Sequence, residues 1–165
     1  MRTCVCFLML AVSAGAAPVL GAPAALSAAD QAAAFKAAGF IQRGGQWRSG
    51  CDDPGTPTYT PGRIDQVRDL NGDGRPEAVI TEGGTYCYGM TGSGYWVVSQ
   101  QADGRWRQMT AATGIPIFLD TRGAGGWPDI QIGGPGFCFP VERFNGKAYV
   151  LHRHEYEGKR CKMRR

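Results

Sequence analysis

At 165 residues the chain has room for one domain and little to spare for a second. Its formal net charge of +4 is modest, and much of the excess lies in the tail Lys159-Arg160-Cys161-Lys162-Met163-Arg164-Arg165. Only the first residues form an apolar run, too short to span a bilayer, and no C-x-x-C pair offers a zinc knuckle or a thioredoxin-type redox site.

The chain opens with Arg2, an apolar stretch over 4–12 and small residues that include Ala14-Gly15-Ala16. That is the pattern of a secretory signal peptide, followed by an Ala/Pro-rich processing region, so 1–24 is set apart and a single mature domain is expected over 25–165. Export makes a secreted or periplasmic location the expectation and removes nucleic acid from the partners. It also leaves four cysteines, Cys51, Cys87, Cys138 and Cys161, an even number that implies two disulfides with three possible pairings. Cys51–Cys87 with Cys138–Cys161 is the expected pairing, because each bond closes a short loop and ties a flank to one half of the chain.

Within 25–62 the first element is a short helix. Ser27-Ala28-Ala29-Asp30 reads as a capping box, Ala-rich sequence follows, and Gly39 supplies the stop. Too short to stand alone, this helix must dock on an edge or face of a sheet. A β-hairpin is expected next, 40–43 and 46–49 around Gly44-Gly45. An irregular loop rich in Pro, Gly and Thr runs from Cys51 to Gly62.

From residue 63 the chain looks like one unit made twice, over 63–110 and 111–155, with a basic tail over 156–165. Asp69 and Asp120 stand 51 residues apart, as do Cys87 and Cys138, and the same turns, Gly-Gly pairs and aromatics follow in the same order. Each half closes with a hairpin, at Asp103-Gly104 and at Asn145-Gly146. Two such units predict a small, mainly β, antiparallel fold of two related sheets that pack on each other or are extended by the N-terminal hairpin.

The turn in the first unit is the richest in chemistry. Asp69, Asn71 and Asp73 occupy loop positions one, three and five, Gly74 the sharp turn at six, and Glu77 position nine. Oxygen donors so spaced can converge on a hard cation, and three carboxylates in one loop repel unless a cation lies among them. Asn-Gly and Asp-Gly are also ordinary tight-turn residues, and Arg68 and Arg75 can neutralise part of the charge. The pattern D-x-N-x-D-G-x-x-E between two strands resembles the calcium loop of FG-GAP and VCBS repeats, the blade units of integrin-α-like β-propellers. Glu77 stands where that family usually has Asp. The resemblance implies propeller-blade-like units and one structural Ca²⁺ held by Asp69, Asn71, Asp73 and Glu77 with the carbonyl of Arg75. The second copy has Arg122 and Ala124 in place of two ligands, so one ion at most is expected.

Aromatics beside glycine-rich loops are the remaining candidates. Tyr86, Tyr88, Trp127, Phe137 and Phe139 are read as a surface for a glycan or an envelope protein, with Trp127 more exposed than Trp96. Small β domains also fill their cores with such residues. His152 and His154 lack a third ligand at convincing spacing, and no nucleophile arrangement is evident. The expectation is therefore a non-catalytic binding module. The alternatives are an envelope accessory protein without a dedicated ligand and a hydrolase using the acidic cluster or the histidines.

Overall fold

The computed structural model describes residues 25–163; the expected signal segment over 1–24, Arg164 and Arg165 lie outside them. Helix α1 (Ala28–Ala37) starts where the cap residues place it. The Ser27 hydroxyl accepts the Asp30 N–H at 3.1 Å and donates to the Asp30 carboxylate at 2.7 Å. The helix ends in a Schellman turn, because Gly39 takes φ +80° at no steric cost. The Gly39 and Phe40 N–H groups then reach the Lys36 and Phe35 carbonyls at 3.0 and 2.9 Å. That turn also brings the Phe35 and Phe40 rings edge to face at 5.5 Å.

Among the described residues eleven strands follow, every pairing among them antiparallel, in two curled sheets. The first has the order β1 (Ile41–Arg43), β2 (Gln46–Arg48), β3 (Thr60–Arg68), β4 (Glu77–Gly83), β5 (Ser93–Gln100), β6 (Trp106–Thr113). The second is β7 (Ile115–Arg122), β8 (Pro128–Gly133), β9 (Phe139–Phe144), β10 (Tyr149–Tyr156), β11 (Lys159–Arg160), likewise in sequence order. The fold is mainly β, as expected, and β3–β6 and β7–β10 are four-stranded meanders whose strands correspond one to one. The N-terminal hairpin extends the first meander at β3 and β11 extends the second at β10. The chain passes between sheets at Gly114, whose φ of +148° and crowding by Ile132 leave no room for a side chain.

The first sheet is the middle layer. On β5, Trp96 and Val98 face α1 and join Phe35, Phe40, Ala78, Ile80 and Trp106 in one core. Tyr95 and Val97 point the other way and pack on Trp127, Ile130 and Phe144 of the second sheet. A strand buried on both faces is apolar throughout, which is why Tyr95-Trp96-Val97-Val98 lacks the usual alternation. The helix covers a sheet face, and no helix among the described residues is long and apolar enough to cross a membrane.

Two local expectations are overturned. Tyr86 and Tyr88, both expected at the surface, lie in the short helix α2 (Thr85–Tyr88), followed by a 3₁₀ turn at Gly89–Thr91. The helix splits the two tyrosines, leaving Tyr86 64% exposed while Tyr88 turns inward. Trp127 is not a surface residue: it is 5% exposed, against half-burial for Trp96. It contacts Phe144 and Tyr149, with ring centroids 5.7 and 6.2 Å away. The glycines and proline around it close a turn over the inter-sheet core instead of lifting the indole into solvent.

Candidate functional site

The strands β4 and β8 each run from one end of the molecule, where the Asp69 loop and its counterpart over 120–127 lie, to the other, where the cysteine loops lie. At the first end Asp69 is the nucleus of its own turn. One carboxylate oxygen accepts the N–H of Gly72 at 2.7 Å and of Asp73 at 3.2 Å; the other accepts that of Gly74 at 2.8 Å. Asn71 and Asp73 are brought alongside, the Asn71 amide donating to Asp73 at 3.0 Å. Asp73 also pairs with the Arg75 guanidinium at 2.5 Å. All these groups are on an exposed turn except Glu77, which is wholly buried. Its two oxygens accept the Leu70 N–H at 2.6 Å and the Ser99 hydroxyl at 2.8 Å. Burial pushes the Glu77 carboxyl above its ordinary range, against the pull of those two hydrogen bonds.

The loop therefore gathers side-chain oxygens from Asp69, Asn71 and Asp73, with Glu77 bracing it from below. Among the described residues no three of His, Cys, Asp and Glu stand together as a metal-binding group. The oxygen-only donor set suits a hard cation, since each carboxylate accepts more bonds than the turn uses.

The second loop packs directly on the first. Arg122, at a lost ligand position, donates to the Leu70 carbonyl at 2.7 Å and to the Gly126 carbonyl at 3.0 Å. Gly126 at φ +77° lies so close to Asn71 that a Cβ would stand 2.4 Å from its carbonyl oxygen. Behind this loop Asp129, the counterpart of Glu77, is wholly buried and ion-paired with Arg143 at 2.8 Å and Arg153 at 2.7 Å. The Thr121 hydroxyl adds a bond at 2.6 Å. Burial alone would raise the Asp129 carboxyl, but the bonds from Arg143, Thr121 and Arg153 outweigh it and hold it well below the carboxylate range.

At the opposite end the disulfides Cys51–Cys87 and Cys138–Cys161 form, with Cα atoms 5.9 and 5.7 Å apart, in the expected pairing. The first sits over a buried carboxylate that sequence reasoning missed. Glu82 accepts the Tyr59 hydroxyl at 2.8 Å, the Tyr88 hydroxyl at 2.5 Å, the Ser49 N–H at 3.0 Å and the Ser49 hydroxyl. Burial, and then the bond to Glu82, pushes the Tyr59 phenol up to about 12. With four donors satisfied, Glu82 is an anchor for the 49–59 loop and α2. Its partners are 6, 23 and 33 residues away in sequence, so only an acid two residues past the apolar Ala78-Val79-Ile80 run hinted at it.

The second disulfide borders an apolar groove of about 760 Å³ lined by Pro135, Phe137, Phe139, Pro140, Lys162 and Met163. Phe137 is 74% exposed and Met163 63%. Cys138 holds a positive φ of 61° after Gly136 at 113°, a sharp bend that projects Phe137 outward. Phe139 is half-buried against Tyr156, with centroids 6.3 Å apart. Thr91, in the 3₁₀ turn after α2, lies next to Gly134, so Tyr86 and Met90 share this end of the molecule with the groove. Of the five aromatics singled out in the sequence, Phe137 and Phe139 thus meet at one groove and Tyr86 lies on the same end. Tyr88 and Trp127 serve the interior.

No known protein family, curated protein or solved structure matches this chain.

Proposed function

We propose that the protein is an exported, non-catalytic binding module whose recognition surface is the groove at the Cys138–Cys161 end. The observation that carries this reading is an aromatic and a methionine, Phe137 and Met163, both left mostly bare and lining one groove that a disulfide borders. Solvent-exposed apolar groups fixed in one arrangement lose little entropy when a partner covers them. The lining is apolar apart from Lys162, which suits an apolar partner surface better than a sugar, whose hydroxyls need several polar partners. Two disulfides suit an oxidising compartment, in line with the signal pattern at 1–24.

The Asp69 loop belongs to the scaffold in this reading. Asp69, Asn71, Asp73 and the Arg75 carbonyl would hold one Ca²⁺, with water completing the shell and Glu77 fixing the loop from below. The ion would supply positive charge that pins the turn, and the loop's resemblance to FG-GAP and VCBS calcium loops supports this. The test of the binding role is capture from envelope extract on immobilised protein. The wild-type chain is expected to retain a component that the double variant Phe137→Ser, Met163→Ser does not, at equal melting temperature. Equal retention by both would refute the groove as the recognition surface.

A further inference from the structure

The groove has a basic flank. Lys162 lines both the apolar groove and a neighbouring polar one formed with His152, His154 and Arg160. Lys159, Arg160 and Lys162 are exposed, and among the described residues none of them pairs with a carboxylate. The acids nearest in register do not cancel them. Glu155 faces Arg160 across β10 and β11, yet its carboxylate is held by Arg153 at 2.6 Å, and only exposed Glu157 in the connecting turn remains. The two halves of the surface are joined covalently, because the Cys138–Cys161 bond links the Phe137 bend to the segment that holds Arg160, at the end of β11, and Lys162 just beyond it.

Bare apolar side chains next to unpaired cations, on one rigid frame, match the chemistry of an anionic bilayer surface. The apolar groups enter the interface while the cations meet the head groups, and each contribution alone is weak. Resting on the reading of this groove as the recognition surface, we propose that the module docks on anionic lipid membranes. Phe137 and Met163 insert into the interface, and Lys159, Arg160 and Lys162 contact lipid phosphates. An acidic protein segment would satisfy the same charges, but a protein groove would not require membrane for its binding.

The test is flotation of the purified protein, without extract, with two kinds of vesicle: phosphatidylcholine alone, and phosphatidylcholine with about one third phosphatidylglycerol. Binding is expected to the anionic vesicles only, and to fall steeply as salt is raised, because the cation contribution is screened. Arg160→Glu with Lys162→Glu is expected to weaken partitioning by about tenfold or more, and Phe137→Ser by several-fold. Both variants should keep the two disulfides and the wild-type melting temperature, since all three side chains are exposed. Absence of binding to anionic vesicles, or binding that neither variant changes, would overturn the lipid proposal. Should extract capture still depend on Phe137 and Met163 in that event, the recognition surface stands and its partner is a protein.

Discussion

Glu77 and Asp129 occupy matching places, one behind each loop, and solve the burial of a carboxylate differently. Glu77 relies on two neutral donors, and burial leaves its carboxyl raised; Asp129 has two guanidinium partners, and its carboxyl is held low. The signs of their pH dependence are therefore opposite. A lowered carboxyl is the last to take a proton, so the unfolded chain binds it first and the stability from Asp129 is lost as pH falls below about 4. A raised carboxyl does the reverse, and Glu77 contributes most when protonated and least as pH rises past its folded value. Asp129→Asn should cost about 3 kcal/mol at neutral pH, because it leaves Arg143 and Arg153 without their counterion, and should flatten the acid limb of the stability curve. Glu77→Gln should cost little at neutral pH, since a neutral amide still meets Leu70 and Ser99. Urea titrations across the acidic range would measure both. Trp127→Ala is expected to cost about 3–5 kcal/mol, as a large core side chain does, and an effect near zero would place the indole outside the core.

At the scale of elements, the Asp69 loop and the loop over 120–127 act as a pair. Gly126→Ala, a change of one methyl, should force the two apart, because the Cβ has only 2.4 Å to the Asn71 carbonyl and the backbone prefers positive φ. A loss of about 1–3 kcal/mol is expected. If calcium occupies the Asp69 loop, saturation at a hundred times its Kd raises stability by about 2.7 kcal/mol. Asp73→Ala should abolish the resulting rise in melting temperature and Asp120→Ala should leave it intact. A melt unmoved by calcium would mean that Arg75 and the backbone N–H groups are the loop's only partners. These local devices were legible in the sequence because their partners are near neighbours: the Ser27 cap, Gly39, the Gly44-Gly45 hairpin and the Asp69 turn each act over a few residues. The disulfide pairing could be argued from the short loops it closes, each tying a flank to one half of the chain. Trp127, Glu82 and Asp129 were not legible in the same way. Whether an indole beside glycine and proline points in or out depends on the opposing sheet, and the partners of both buried acids come from other strands. The tyrosines around Cys87 went astray for a local reason, since a four-residue helix is too short for periodicity to register.

For the whole molecule, the two ends divide the work. One end is closed by loop against loop and by buried ion pairs; the other is held by two disulfides and leaves Tyr86, Met90, Phe137 and Met163 bare. The α1 helix covers the far face of the middle sheet, and the cysteine end carries the most exposed large apolar side chains among the described residues, Met90, Phe137, Tyr86 and Met163. Hydrogen–deuterium exchange on the intact protein, with and without the component captured from extract, tests this division most directly. Protection is expected in peptides covering 134–140 and 159–163, with the 69–77 loop unchanged. Protection confined to the 69–77 loop, with 134–140 exchanging as freely as before, would contradict it.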